Sequence, residues 1–162
     1  MKKENTLKPK TVDESRTEQV QILTQSTLNG TKRLFGGQLM QWIDIVAAVV
    51  ARRHSGCNIT TAVVDTLQFI NPAYGNDMVV LEGYMTYTGR TSMEVCVKTY
   101  VESLDGKRHE INTAYIVMVA LDENENPTQV PPLLVTTEEE KEEWNAAVKR
   151  NDLRKLRRKE RF

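Results

Sequence analysis

Two hydrophobic periodicities divide the chain. From 38 to 54 the sequence QLMQWIDIVAAVVARRH is apolar nearly all round a helical projection, which predicts a long helix covered on several sides. Arg52, Arg53 and His54 close the segment and Gly56 follows, cations then glycine being stop signals. Beyond it the period changes to two. Segments 59–70, 78–88, 92–103 and 109–121 alternate and are rich in Val, Ile, Thr and Tyr, so each predicts a strand. In the third, Met93, Val95, Val97, Thr99 and Val101 share one face, with Glu94, Lys98 and Glu102 on the other. The short links TGR and LDGK favour antiparallel hairpins. Residues 16–25 read as a strand before the helix, and 26–35 as a polar loop with Asn29-Gly30 as a turn signal. The order strand, long helix, four strands predicts an α+β fold, an antiparallel sheet wrapped around one central helix.

The two ends differ from this body. Residues 1–15 are polar and read as a flexible tail, with one domain over 16–135 that closes in the Pro-punctuated stretch ENENPTQVPPLL. Residues 136–162 read as a charged C-terminal helix, capped by Thr136 or Thr137 with Glu139 or Glu140 completing a capping box. Its first half is acidic and its second half basic, which complements the helix dipole. Lys149, Arg150, Arg154, Lys155, Arg157, Arg158, Lys159 and Arg161 crowd its end, and the expected reading of that block is solvated surface.

Composition narrows the class. Lys+Arg is 22 and Asp+Glu is 22, so global charge offers no case for nucleic acid or an anionic membrane. Cys57 and Cys96 form no CxxC pair and are expected as reduced thiols. The basic start MKKENTLKPK is followed by no apolar signal core, and no run approaches the ~18 apolar residues needed to span a bilayer. The expectation is a cytoplasmic protein without membrane insertion.

Against this background Asp44 stands out, a carboxylate in the most apolar segment. Three readings are open: an exposed residue on a short polar edge, a buried partner of a cation, or a functional carboxylate, since burying an unpaired one is costly. Gly36-Gly37 at the helix start would leave bare amides at a positive dipole end, suited to a developing oxyanion, or would serve only a tight turn. His54 and His109 lie beside turn signals and are expected at the surface, and Asp65 as a structural or interface carboxylate. A Walker loop, a zinc-ligand spacing and a GxSxG elbow are absent from the sequence, so no metal site is expected.

Several separated motifs in order are similar to those of the hotdog-fold acyl-CoA thioesterases of bacteria and mitochondria. They are Asn29 with LFGG (34–37), LM (39–40) and WID (42–44), then TAVVD (61–65), FINP (69–72), YTGRTSMEV (87–95), TAYIVMVALDE (113–123) and VPPL (130–133). The resemblance covers about residues 16–140 and implies a hotdog: a long helix wrapped by an antiparallel sheet. It implies hydrolysis of acyl-CoA to fatty acid and CoA. No metal or redox cofactor is implied, CoA being part of substrate and product. It also implies a homodimer with active sites at the interface, assembled into a trimer of dimers. By position, Asp44 matches the helix carboxylate that acts as general base or nucleophile. Asn29 matches a loop residue that orients water or substrate and is delivered by the partner subunit, and Thr61 a strand hydroxyl near the base that helps position water. Gly37, with Gly36 beside it, matches the oxyanion hole, and Arg90, Thr91 and Ser92 the CoA groove. The family often has glycine where this chain has Lys32, and serine where it has Val63. A second reading is a non-catalytic acyl-CoA sensor, in which the basic stretch 149–161 meets nucleic acid or an acidic partner. A third role for that stretch is contact with CoA phosphates.

Overall fold

The computed structural model of the protein describes residues 7–162. Strand β1 (Lys10–Thr11) is followed by β2 (Thr17–Ile22), a 3-10 turn (Gln25–Thr27) and helix α1 (Gly36–Ser55). Strands β3 (Asn58–Phe69), β4 (Met78–Thr88), β5 (Ser92–Glu102) and β6 (Arg108–Leu121) come next, then β7 (Leu133–Leu134) and helix α2 (Glu138–Glu160). The alternating segments therefore form the strands expected of them, each within a residue or two of its predicted ends. Strands β2 to β6 form a five-stranded sheet in the order β2-β4-β5-β6-β3, antiparallel at every junction.

The concave face of the sheet holds α1. Leu39, Trp42, Ile43, Val46, Ala47, Val50 and Ala51 turn inward, at the three-and-four spacing of one helix face. They meet Leu81, Met93, Val95, Val97, Ile116 and Met118 in one apolar cluster. Helix and sheet approach closely at Gly83, where an added Cβ would sit 2.6 Å from Val46 Cγ1 and 3.0 Å from Val50 Cγ2. The helix is covered on this side only. Met40, Asp44 and Ile45 on its other side are exposed in the single chain, as are Val63 and Val64 on the edge strand β3. The sequence predicts cover on several sides, and one chain supplies part of it.

Three expectations are corrected. The flexible tail does not extend to residue 15: Lys10 and Thr11 pair in parallel with Leu133 and Leu134, and Val12 and Ser15 are buried. The short apolar Val12 is enough to dock a polar segment once β7 offers it backbone partners. Residues 1–6 of that tail lie outside the described residues. His54 is not at the surface but fully buried, with Nε2 2.8 Å from the Pro131 carbonyl oxygen. Burial lowers its pKa below the ordinary 6.5; the Pro131 bond opposes the shift and the nearby charge of Lys10 adds to it.

The third correction concerns α2, whose basic half is not merely solvated. The helix begins as predicted: Thr137 accepts from the Glu140 amide, and Glu140 completes the capping box. It then crosses the convex face of the sheet. Glu94 of β5, with no side-chain exposure, accepts from Arg150 Nη2 at 2.7 Å, Arg154 Nη1 at 2.8 Å and Thr86 Oγ1 at 2.7 Å. Asp65 of β3, its side chain nearly enclosed, accepts from Arg154 Nη1 at 2.8 Å and Arg157 Nη1 at 2.9 Å. Arg150 also stacks 3.7 Å above the Tyr115 ring. Asp65 is thus a structural carboxylate. Cys57 and Cys96 are free thiols, and burial pushes the Cys96 thiol up to about 12, so it is inert.

Candidate active site

Asp44 and Thr61 are brought together from α1 and β3. Asp44 sits on the helix side not covered by the sheet, and Thr61 Oγ1 donates to its Oδ1 at 2.7 Å. Thr61 faces the helix because it lies opposite Met118, whose sulfur is 3.4 Å from the same hydroxyl. The pairing skips Ala62, running from Thr61–Met118 to Val63–Val117, so a bulge at Ala62 resets the strand. The hydroxyl has one hydrogen and donates it to the carboxylate oxygen. Thr61 therefore holds Asp44 in place, and its lone pairs remain for a water. The second oxygen of Asp44, Oδ2, accepts no hydrogen bond among the described residues.

The segment before α1 builds a different kind of site. Asn29 Oδ1 accepts from Thr31 N at 3.0 Å, Thr31 Oγ1 at 2.7 Å and Arg33 N at 3.2 Å. The carbonyl end of the amide is thus spent on shaping the loop, which leaves Nδ2 as its working end, a donor. Lys32 takes φ 61°, the left-handed conformation in which glycine is most at ease. The Lys-for-Gly departure therefore places a lysine in a left-handed conformation that glycine adopts freely. Phe35 caps α1 with backbone alone, so no side chain occupies the first helical amides. A Cβ at Gly37 would meet the exposed Phe35 ring at 2.6 Å, so a larger residue there would require that ring to turn aside. Asn29 also borders a mostly apolar cavity of about 320 Å³ with Leu34, Leu39, Phe69, Ile70 and Ile111.

These two half-sites do not meet within one chain. Gly37 and Asp44 are seven residues apart on α1, which is roughly 10 Å at the helical rise. No hydrogen bond joins Asn29 to Asp44 or Thr61. One end of the molecule offers donors beside an apolar cavity, and a point two turns away offers a carboxylate.

Of the groove residues, Thr91 and Ser92 lie where β4 turns into β5 and line a second cavity, of about 420 Å³, on the convex face. Arg90 is exposed; its carbonyl accepts from Val130 N at 2.9 Å, and its guanidinium lies outside that cavity. Asn151, Arg154, Arg157 and Arg158 of α2 complete the polar lining. On sequence alone these α2 residues read mainly as solvated surface. Their signal is the spacing: 151, 154 and 158 fall on one helical stripe. Among the described residues no cluster of His, Cys, Asp and Glu is arranged to hold a metal ion, and no helix is long and apolar enough to cross a membrane.

A five-stranded antiparallel sheet wrapped around one long helix defines the class as a hotdog fold, and comparison with known proteins agrees. The model of the Thioesterase superfamily matches residues 31–105. The chain is 42% identical over 132 residues to an uncharacterized acyl-CoA thioester hydrolase of Bacillus subtilis, covering 81% of this chain and 77% of that protein. An acyl-CoA hydrolase of Staphylococcus aureus, solved with butyryl-CoA and CoA, superposes with a TM-score of 0.89 at 31% identity, covering 93% of each chain. A hexameric acyl-CoA thioesterase gives a TM-score of 0.89 at 36% identity, covering 93% of this chain and 97% of that one. The Staphylococcus aureus enzyme has also been solved with an aspartate, an asparagine or a threonine replaced by alanine. The chain belongs to the acyl-CoA thioester hydrolases of the thioesterase superfamily.

Proposed function

We propose that the protein hydrolyses acyl-CoA thioesters to free fatty acid and CoA, at sites completed by a second copy of the chain. The observation that carries this is the Thr61–Asp44 clamp, which leaves one carboxylate oxygen open beside an exposed apolar face. Asp44 of one protomer takes a proton from water, and the water oxygen bonds to the thioester carbonyl carbon. The resulting oxyanion receives hydrogen bonds from Asn29 Nδ2 and the Gly37 amide of the other protomer. Collapse breaks the carbon–sulfur bond; the thiolate is a good leaving group and takes up a proton on release. The Gly37 amide and Asp44 lie two turns apart on one helix, and Asn29 lies in the loop before that helix, so a single chain does not direct donors and base at one carbonyl. The mechanism requires no metal or redox cofactor.

The uncovered face supports the dimer. Phe35, Met40, Ile45, Val63, Val64 and Phe69 are all exposed, and β3 is a long unpaired edge, an arrangement proteins normally cover. A trimer of such dimers is in line with the hexameric relative.

Thiol release from short- to long-chain acyl-CoAs, with Asp44→Ala as control, tests the reading. Turnover by the native chain and its loss in the variant are expected. CoA binding without thiol release in the native chain would leave the sensor reading in its place.

A further inference from the structure

We propose that the clamp of Arg154 and Arg157 on Asp65 is a positioning device: α2 fixes the register of β3 from the convex face, and so holds the Thr61 hydroxyl on Asp44. This rests on the hydrolytic reading above and extends it to α2, which lies outside the matched family region.

The two contacts belong to opposite faces of one strand. Thr61 lies opposite Met118, which packs in the apolar cluster around α1, and its hydroxyl meets Asp44 at 2.7 Å. Asp65 is four residues on, and in a strand of unbroken period two it would face the same apolar side. It turns instead to α2, where Arg154 Nη1 and Arg157 Nη1 reach it at 2.8 Å and 2.9 Å. The bulge at Ala62 makes the difference. After it, Val63 pairs with Val117 and lines the convex-face cavity beside α2, while Val64 pairs with Ile116 of the apolar cluster. A second bulge takes Asp65 itself out of the pairing, since Val64–Ile116 is followed by Thr66–Tyr115. One side chain serves the base and the other the helix only while both bulges stay in place.

Little else in the strand fixes them. Within the chain β3 is an edge strand, paired with β6 alone, and each bulge interrupts that pairing. Thr60-Thr61 and Val63-Val64 are doublets, so a shift of one residue changes little in residue type. Ala62, Val63 and Val64 are exposed in the single chain, so burial there does not select the register either. Asp65 is the sensitive position: its nearly enclosed carboxylate takes one nitrogen from each of two arginines a helical turn apart. Arg154 also holds Glu94, so the clamp ties the edge strand to β5 in the middle of the sheet. Fixing a register is the best-attested use of a buried charge pair.

Steady-state thiol release by the native chain, R157Q, T61V, the double variant and K159Q tests the assignment. R157Q takes one arginine from Asp65 and leaves Arg150 and Arg154 on Glu94. Its kcat falls about three- to tenfold, with KM within about twofold of the native value. T61V loses about tenfold or more, the effect of one hydrogen bond to a charged group. In the T61V background R157Q causes no further loss, because the clamp has no hydroxyl left to place. K159Q makes the same charge change at an exposed side chain two residues on and leaves kcat unchanged. A native kcat in R157Q would overturn the proposal. So would an equal fold-loss with and without the Thr61 hydroxyl, the behaviour of a merely structural contact or of a weakened dimer. Backbone amide exchange over residues 60–66 separates failure of the two readings. R157Q speeds it about fivefold or more and K159Q does not, whether or not the chain hydrolyses a thioester. Thiol release with native kcat and native exchange in R157Q removes the positioning role alone. Faster exchange in R157Q, with no thiol release by the native chain, removes hydrolysis and leaves the register clamp.

Discussion

Asp44 has one oxygen tied to Thr61 and the other open, and its neighbours on the helix, Met40 and Ile45, are apolar and exposed. Of the three readings open at the sequence level, burial beside a cation is eliminated, because no cation lies within ion-pair distance among the described residues. Asp44→Asn keeps the shape and an acceptor for Thr61 but cannot take a proton, and kcat should fall ~10²–10⁴-fold. Stopped thiol release with retained CoA binding is the check. Asn29→Asp is the sharper probe of the other half-site. It preserves the oxygen that Thr31 and Arg33 use and removes the Nδ2 donor, so the loop should stand while kcat falls about 10²-fold or more. A normal kcat in that variant would exclude Asn29 as an oxyanion donor. Residue types at this scale were legible, because a carboxylate in an apolar run and a Gly-Gly helix start are local signals. The direction of each hydrogen bond was not, since it depends on which atoms the loop consumes.

At the scale of elements, the strands and α1 follow from periodicity alone, while α2 shows where periodicity stops. Its capping box and charge polarity were readable, but the partners of its arginines were not. Glu94 is the centre of that contact, and removing it takes the shared carboxylate from both arginines, leaving Arg154 with Asp65 and Arg150 with Glu143 at 3.6 Å. Glu94→Ala should cost about 3–5 kcal/mol, a fall in Tm of about 10 °C or more by thermal denaturation. A change of less than about 2 °C would mean that α2 is held by Ala147, Trp144 and Tyr87 instead. In sequence, Glu94 looked like an outward residue on an alternating strand. It is outward, and α2 covers it.

At the scale of the whole molecule, the exposed edge β3 and the half-covered α1 are the surfaces that the proposed dimer would bury. Val64→Glu places a charge on the unpaired edge and should yield a monomer by analytical ultracentrifugation, with activity lost together with the dimer, because Asn29 and Asp44 then come from no common site. An active monomer would sink the shared-site reading. His54 ties the end of α1 to the Pro131 carbonyl, near Lys10 and Glu14 of the N-terminal segment. Its folded pKa is lowered, so below the ordinary 6.5 the unfolded chain takes up the proton more readily and stability is lost as pH falls. Tm should drop between about pH 7 and pH 5.5, and His54→Gln should flatten that slope.

The sequence by itself determined the class of fold, the order of its elements and the family, because these rest on local periodicity, turn chemistry and short motifs within contiguous segments. It also marked Asp44, Asn29, Thr61 and the Gly36-Gly37 pair as candidates. Only the tertiary structure decided that Asp44 and Thr61 touch, that Asn29 presents its amide nitrogen, that Lys32 adopts a glycine's conformation, and that Arg150, Arg154 and Arg157 reach across to Glu94 and Asp65. The contacts of Thr61 with Asp44 and of the α2 arginines with Glu94 and Asp65 join residues 17 to 92 positions apart in the chain, where only the packing of helix on sheet sets which side chains meet; those of Asn29 span two to four residues and depend on which atoms the folded loop consumes.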